Sequence, residues 1–218
     1  MIWPIISGQA MNYGQGGHGS FIMHELVRDL QLPLNPGKNI AIWRESISAQ
    51  YYAFERACIG MRFPVVLDIG CGLAGIDALL VRKFDTRRVH LLDGDGSSPK
   101  VNGWNWATDA WNDVGKGAEL VRANGGPGIE VITHVAGRQL QIDDQLDLVI
   151  SLRSWGHHYP IGIYLEPVQR ILKPNGMLIL DIRRKTDGVE QLYAAGFCRV
   201  DRIEDRSEKC DRLMFVRQ

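Results

Sequence analysis

From residue 65 onward, short apolar runs alternate with segments of helical spacing. The runs 65–69, 89–93, 129–134, 146–152, 176–182, 197–204 and 211–217 have strand length and turn residues at their ends. Between them, 74–84, 106–123, 161–172 and 187–195 carry apolar residues at helical spacing. Such alternation predicts a mostly parallel sheet with helices on both faces, a doubly wound α/β fold. The end of the chain breaks the pattern. Only Asp205 to Cys210 separate the last two runs. That is too short for a helical crossover, so they should pair as an antiparallel hairpin.

The first 60 residues have a different character. Gly8, Gly14, Gly16, Gly17 and Gly19 surround Tyr13 and His18, and so many glycines predict a loop. A short helix is expected from Phe21 to Leu30, ended by Pro33 and Pro36. A longer one is expected from about Ala41 to Cys58, with Ile42, Ile47, Ala49, Tyr52, Ala53 and Ala57 on one face. Residues 1–60 thus read as an N-terminal extension, either a helical lid or a tail, ahead of one domain over 61–218.

Composition narrows the class. The chain has 218 residues, 45% hydrophobic and 23% charged, as in ordinary globular proteins. Lys plus Arg and Asp plus Glu are both 25. A formal net charge of zero argues against broad electrostatic binding to nucleic acid. The short cluster Arg183, Arg184 and Lys185 reads as a solvated strand end. Cys58, Cys71, Cys198 and Cys210 form no C-x-x-C pair, so no zinc site is expected. The apolar start Met1–Ile6 lacks the basic flank of a signal peptide, and no apolar run reaches membrane-spanning length. A cytoplasmic, reduced protein is expected.

The chemistry concentrates at the first strand. Gly70, Gly72 and Gly75 form G-x-G-x-x-G, a spacing that gains weight from following a strand and opening a helix. Small residues there let a cofactor approach the backbone amides. Asp68 precedes the first glycine by two. A carboxylate in that position would repel a pyrophosphate and suits a cationic group; its plainer reading is a cap on the loop amides. Asp93, 21 residues beyond Gly72, ends the second strand and fits an acid that accepts from two ribose hydroxyls, a role Asp95 could share.

These residues resemble the class I S-adenosylmethionine-dependent methyltransferases. Val66-Leu67-Asp68-Ile69-Gly70-Cys71-Gly72 is similar to the family's first motif, and Asp93 to its ribose-binding acid. Leu146–Ser151 resembles its fourth strand, and Arg170–Leu180 its helix, turn and fifth strand. The resemblance covers about residues 60–218. It implies a seven-stranded sheet with an antiparallel last strand and S-adenosylmethionine as cofactor. It also implies cofactor contacts from Asp68, Gly70, Cys71, Gly72, Gly75, Asp93, Gly94 and Ser151. One departure stands out. Many members carry an acid after the third strand to meet adenine, but Val135–Leu140 has none, which leaves backbone or Gln139.

Ligands of open α/β sheets sit beyond the carboxyl ends of the strands. The segment Ser151–Pro160 follows the fourth strand and holds Arg153, Trp155, His157, His158 and Tyr159. His157 or His158 could remove a proton from the acceptor. Adjacent histidines seldom aim at one ion, so no metal is expected. Arg153 could meet an anionic substrate group or Asp147. Trp155 and Tyr159 could wall a pocket or simply pack, as could Trp104, Trp106 and Trp111. The segment lacks the Asp/Asn-Pro-Pro-Tyr/Phe and Pro-Cys signatures of DNA methylation. The reading that follows is methylation of a small molecule, most plausibly at oxygen. The alternatives are an RNA or protein acceptor, or a non-catalytic partner subunit of the same fold. Asp68 and the final hairpin argue against an NAD-dependent oxidoreductase.

Overall fold

A computed structural model describes residues 36–94, 113–203 and 209–218, with the side chains of 36–43, 45 and 46 outside the description. The expected loop with Tyr13 and His18, the helix over 21–30, Asp95 and all three of Trp104, Trp106 and Trp111 lie outside the described residues.

The alternating pattern folds as a seven-stranded sheet of order β3-β2-β1-β4-β5-β7-β6. Its strands are β1 (Val65–Ile69), β2 (Arg88–Asp93), β3 (Glu130–Val135), β4 (Leu146–Ser151), β5 (Leu172–Arg183), β6 (Phe197–Ile203) and β7 (Cys210–Arg217). The pairs among β3, β2, β1, β4 and β5 are parallel, and β7 runs antiparallel to both β5 and β6. The expected terminal hairpin is present, with its second strand inserted between β5 and β6. The described helices are α1 (Pro36–Ala57), α2 (Gly75–Lys83), α3 (Val114–Gly125), α4 (Leu165–Ile171) and α5 (Gly188–Ala194), with a 3-10 turn at Ile161–Ile163.

Two boundaries differ from the sequence reading. Pro36 was expected to end a helix, but it opens α1. Proline lacks only an N–H that the first turn leaves unbonded anyway, so it is tolerated there. The turn expected over Lys173–Gly176 is absorbed into β5. Leu146 pairs with Leu172 but Leu148 with Met177, so the extra residues of β5 bulge outward, with Asn175 left-handed at φ 62°. A second bulge lies in β6: Arg199 faces Phe215 and Asp201 faces Met214, which leaves Val200 unpaired and exposed.

The sheet is apolar on both sides, as parallel sheets require. One face carries Val66, Leu148, Ile150, Ile179 and Met214 against Tyr51, Phe54 and Cys58 of the α1 region and Leu79 and Leu80 of α2. The C-terminal half of α1 therefore shares the core of the sheet. The other face carries Leu67, Val149, Leu178, Leu180 and Phe215 against Val168 and Ile171 of α4 and Leu192 of α5. Leu140 and Ile142, in the helix-free connection from β3 to β4, extend that second layer. A third cluster joins α3, through Ala118 and Val121, to Val89 and Leu91 of β2.

Strand order reverses between β1 and its two neighbours, β2 and β4. In open α/β sheets, that reversal leaves a crevice above the carboxyl ends of the central strands.

Candidate functional site

The glycine loop sits at that crevice. Gly70 and Gly72 have φ of 79° and 56°, and Ala74 at φ 52° leads into α2. Left-handed backbone is cheap for glycine and costly for other residues. The space beside Gly70 was expected to be kept clear for a cofactor. The protein itself fills it, since a Cβ there would fall inside the Ser154 side chain. Gly70 is thus where the loop after β4 rests on the loop after β1. Gly117 of α3 serves a similar purpose on the other side: a Cβ would come within 3.1 Å of the Gly72 carbonyl oxygen. Gly75 is buried as the first residue of α2.

Asp93 holds the loop. Its carboxylate accepts from the N–H of Gly72 at 2.6 Å and of Gly94 at 2.7 Å. The capping role considered for Asp68 therefore falls to Asp93. Burial raises the Asp93 pKa to about 6, against the pull of those two amides. Two accepted bonds leave lone pairs on the carboxylate for further donors. Cys71, half-buried, turns its thiol toward the Gly72 carbonyl at 3.7 Å.

Asp68 lies behind the loop, 5% exposed, and its carboxyl meets that of Asp77 of α2, which is fully buried. Apart from each other, Asp68 Oδ1 and both Asp77 oxygens have no hydrogen-bond partner among the described residues. Burial, then the Asp77 charge, holds the Asp68 pKa well above the usual carboxylate range, and burial lifts Asp77 to about 6. Two buried carboxyls in contact keep at least one proton between them. Asp77 escaped the sequence reading. Its only signal was an acid between Ile76 and Ala78-Leu79-Leu80, on a stripe that should be apolar.

The loop after β4 is tightly anchored. Ser151 is buried; its hydroxyl donates to the Ile69 carbonyl at 2.6 Å and accepts from Trp155 N–H at 2.8 Å. That ties the ends of β1 and β4 and commits the Ser151 proton inside the protein. Trp155 is fully buried, its indole N–H on the Ile161 carbonyl at 2.8 Å, so it packs rather than lines an open pocket. The Ser154 carbonyl gathers the N–H groups of His157, His158 and Tyr159, and Arg183 N–H reaches the Gly156 carbonyl at 2.9 Å. Arg153 is left-handed at φ 62°, and its N–H donates to Asp181 at 3.0 Å. Asp181 is fully buried in a two-bond pair with Arg212, at 2.7 and 2.8 Å. The alternative Arg153–Asp147 contact does not form. Asp147 takes Lys173 at 2.6 Å and Val65 N–H at 2.9 Å.

His157 and His158 pack edge to face, ring centroids 4.4 Å apart. Burial lowers the pKa of His157; the charges of Arg183 and Arg153 assist, and Asp181 opposes. Burial, then His157, then Arg183 take His158 down to about 4. Both rings are neutral at pH 7, with a nitrogen able to accept a proton. Across the crevice, burial raises the phenol pKa values of Tyr159 and Tyr164, and the Asp93 charge adds to both. Gln139 is exposed in the connection after β3, with no side-chain hydrogen bond among the described residues. No group of three or more His, Cys, Asp or Glu among the described residues could hold a metal ion. No described helix is long and apolar enough to cross a membrane.

No protein-family model and no curated protein matches the chain. Solved structures do match. Magnesium protoporphyrin IX methyltransferase (ChlM) from Synechocystis PCC 6803, with bound SAM, aligns at TM-score 0.55 and 16% identity, over 95% of this chain and 100% of its own. N-methyltransferase NodS from Bradyrhizobium japonicum WM9, in complex with S-adenosyl-L-homocysteine, aligns at 0.54 and 15%, over 90% and 98%. The PH0226 protein from Pyrococcus horikoshii OT3 aligns at 0.56 and 19%, over 81% and 91%. With its strand order, its antiparallel β7 and its glycine loop at the crevice, the chain has the fold of the class I S-adenosylmethionine-dependent methyltransferases.

Proposed function

We propose that this chain is a methyltransferase that uses S-adenosylmethionine on a small molecule, at oxygen. One observation carries the reading: a buried acid with an unpartnered oxygen lies behind a left-handed glycine loop, whose amide is held by a second acid at the end of β2. Asp68 Oδ1 suits the cofactor's ammonium, and the free lone pairs of Asp93 suit its ribose hydroxyls. Gly70, Cys71, Gly72, Gly75 and Gly94 shape the loop around it. The backbone after β3, or the exposed Gln139, would meet adenine. NodS and ChlM, which share the fold, are solved with the demethylated and methylated forms of this cofactor. The bound cofactor would supply a methyl carbon already activated by a sulfonium.

The protein then has to align the acceptor, exclude water and take a proton. His157 is the base we assign, because it stands in the loop that rests on Gly70 and its Nδ1 is buried against the Arg153 backbone, which orients the ring. His158, taken down to about 4, is the weaker base of the two. Four free cysteines suit the reducing cytoplasm.

Calorimetric titration with S-adenosylmethionine and S-adenosylhomocysteine, with NAD as control, tests the cofactor. Micromolar binding of the sulfur compounds is expected, lost in Asp93→Ala and absent for NAD. No binding at millimolar concentration would leave a non-catalytic partner subunit as the better account. With a substrate in hand, His157→Ala should cut turnover by about 100-fold, and unchanged turnover would remove it as the base.

A further inference from the structure

Arg153 and Arg183 border the loop that carries the histidine pair, and neither has an ion-pair partner among the described residues. Arg153 lies in the loop after β4, and Arg183 is the last residue of β5. Both side chains are exposed. The neighbouring arginines are committed elsewhere: Arg184 to Asp211 at 2.9 Å, and Arg212 to Asp181.

Their placement is built rather than incidental. Asp181 fixes both. Its carboxylate takes the Arg153 N–H, which holds that residue in left-handed backbone, and it stands two residues before Arg183 on β5. The Arg183 N–H then closes on Gly156, between Arg153 and the histidines. Asp181 itself is paired with Arg212 inside the protein, so the exposed charges at this rim are the two guanidinium groups. Both guanidinium charges reach His157, and Arg183 reaches His158 as well. A forked cationic rim therefore stands at the carboxyl ends of β4 and β5, beside the proposed base.

Resting on the methyltransferase reading above, we propose that Arg153 and Arg183 clamp an anionic group of the acceptor, so that the substrate class is a small hydroxylated carboxylate or phosphate ester. Guanidinium forks match the two oxygens of such groups and hold them in a fixed orientation. The clamp also serves the chemistry. An anion seated between the arginines offsets the charges that suppress the histidines, so the base strengthens when the right acceptor is present.

The test uses binding rather than turnover. The probes are 4-hydroxybenzoate and phenyl phosphate, with 4-hydroxybenzamide as the neutral control. Binding is followed through the His157 and His158 ring-proton NMR signals in the intact chain. Saturable binding is expected for at least one anion. It should weaken about tenfold in Arg153→Gln and in Arg183→Gln, vanish in the double variant and stay unchanged in Arg170→Gln. The histidine signals should move toward the protonated form when the anion binds. Equal binding of anion and amide, full affinity in the double variant, or no saturable binding of either anion would each overturn the clamp. Thermal melts of the double variant guard against simple misfolding, which exposed positions should not cause. S-adenosylhomocysteine titrations on the same samples separate the two ideas. Cofactor binding without anion binding removes only the clamp, and anion binding without cofactor binding removes the methyltransferase.

Discussion

At the scale of single residues, Asp77 is a costly choice. It is fully buried with no side-chain partner but Asp68 among the described residues, and its pKa stands at about 6 against an unfolded value near 3.8. The folded state then binds more protons than the unfolded state between about pH 4 and pH 6. Stability is therefore lost as pH rises through that window, and at neutral pH the ionised pair burdens the fold. Asp77→Asn should melt higher than the parent at pH 8, by roughly 2–4 °C for each 1 kcal/mol relieved. The gain should disappear below about pH 4, where Asp77 is protonated in the parent. Thermal melts across pH check it, and a uniform gain at every pH would mean that packing, not charge, is responsible. Natural sequences keep such burdens where function needs them. The acids Asp68 and Asp93 were legible from their spacing around G-x-G-x-x-G. Asp77 and Ser154 were not, because their roles depend on which loops the fold brings together.

At the scale of elements, the anchored loop after β4 is the feature with most consequence. Its shape depends on the buried Asp181–Arg212 pair, which also receives Arg153 N–H. Removing one member strands a buried charge, so Arg212→Leu should cost about 3–5 kcal/mol in denaturant unfolding. The double change of Asp181 and Arg212 to leucine should recover much of that loss. Loss of equal size in both would mean that the loop, rather than the uncompensated charge, carries the energy. The strands and their order of direction could be read from period alone, because the apolar runs are short and well separated. Ends were harder to place. Lys173–Gly176 reads as a turn, and does turn locally, but the ladder with β4 resumes on both sides of it. Pro36 is ambiguous for a different reason: it can stop one helix or start another, and only packing decides. Arg183 reads as a solvated strand end until β5 is seen to finish beside Gly156.

At the scale of the whole molecule, both faces of one sheet must be covered by a single chain, and β6 shows how the edge manages it. Phe197 belongs to the layer with α4 and α5, whereas Ile203 belongs to the layer with α1 and α2. Six residues apart on a regular strand, the two side chains would point the same way. The unpaired Val200 supplies the missing half-period, so one short strand plugs both cores. Val200 is thus an interval rather than a contact: its identity is free, and what must be kept is the odd number of ladder steps, five, between Phe197 and Ile203. Val200→Ser should change stability by less than about 0.5 kcal/mol. Deleting Val200 should close the bulge, leave Phe197 and Ile203 five residues apart on opposite faces and cost little, whereas one serine inserted beside Val200 should turn both to one face, expose one of them and cost at least about 2 kcal/mol. Equilibrium unfolding of the three variants reads the difference. An insertion in this stretch then matters more than almost any substitution, because counting along the chain, rather than chemistry, is what the edge strand encodes.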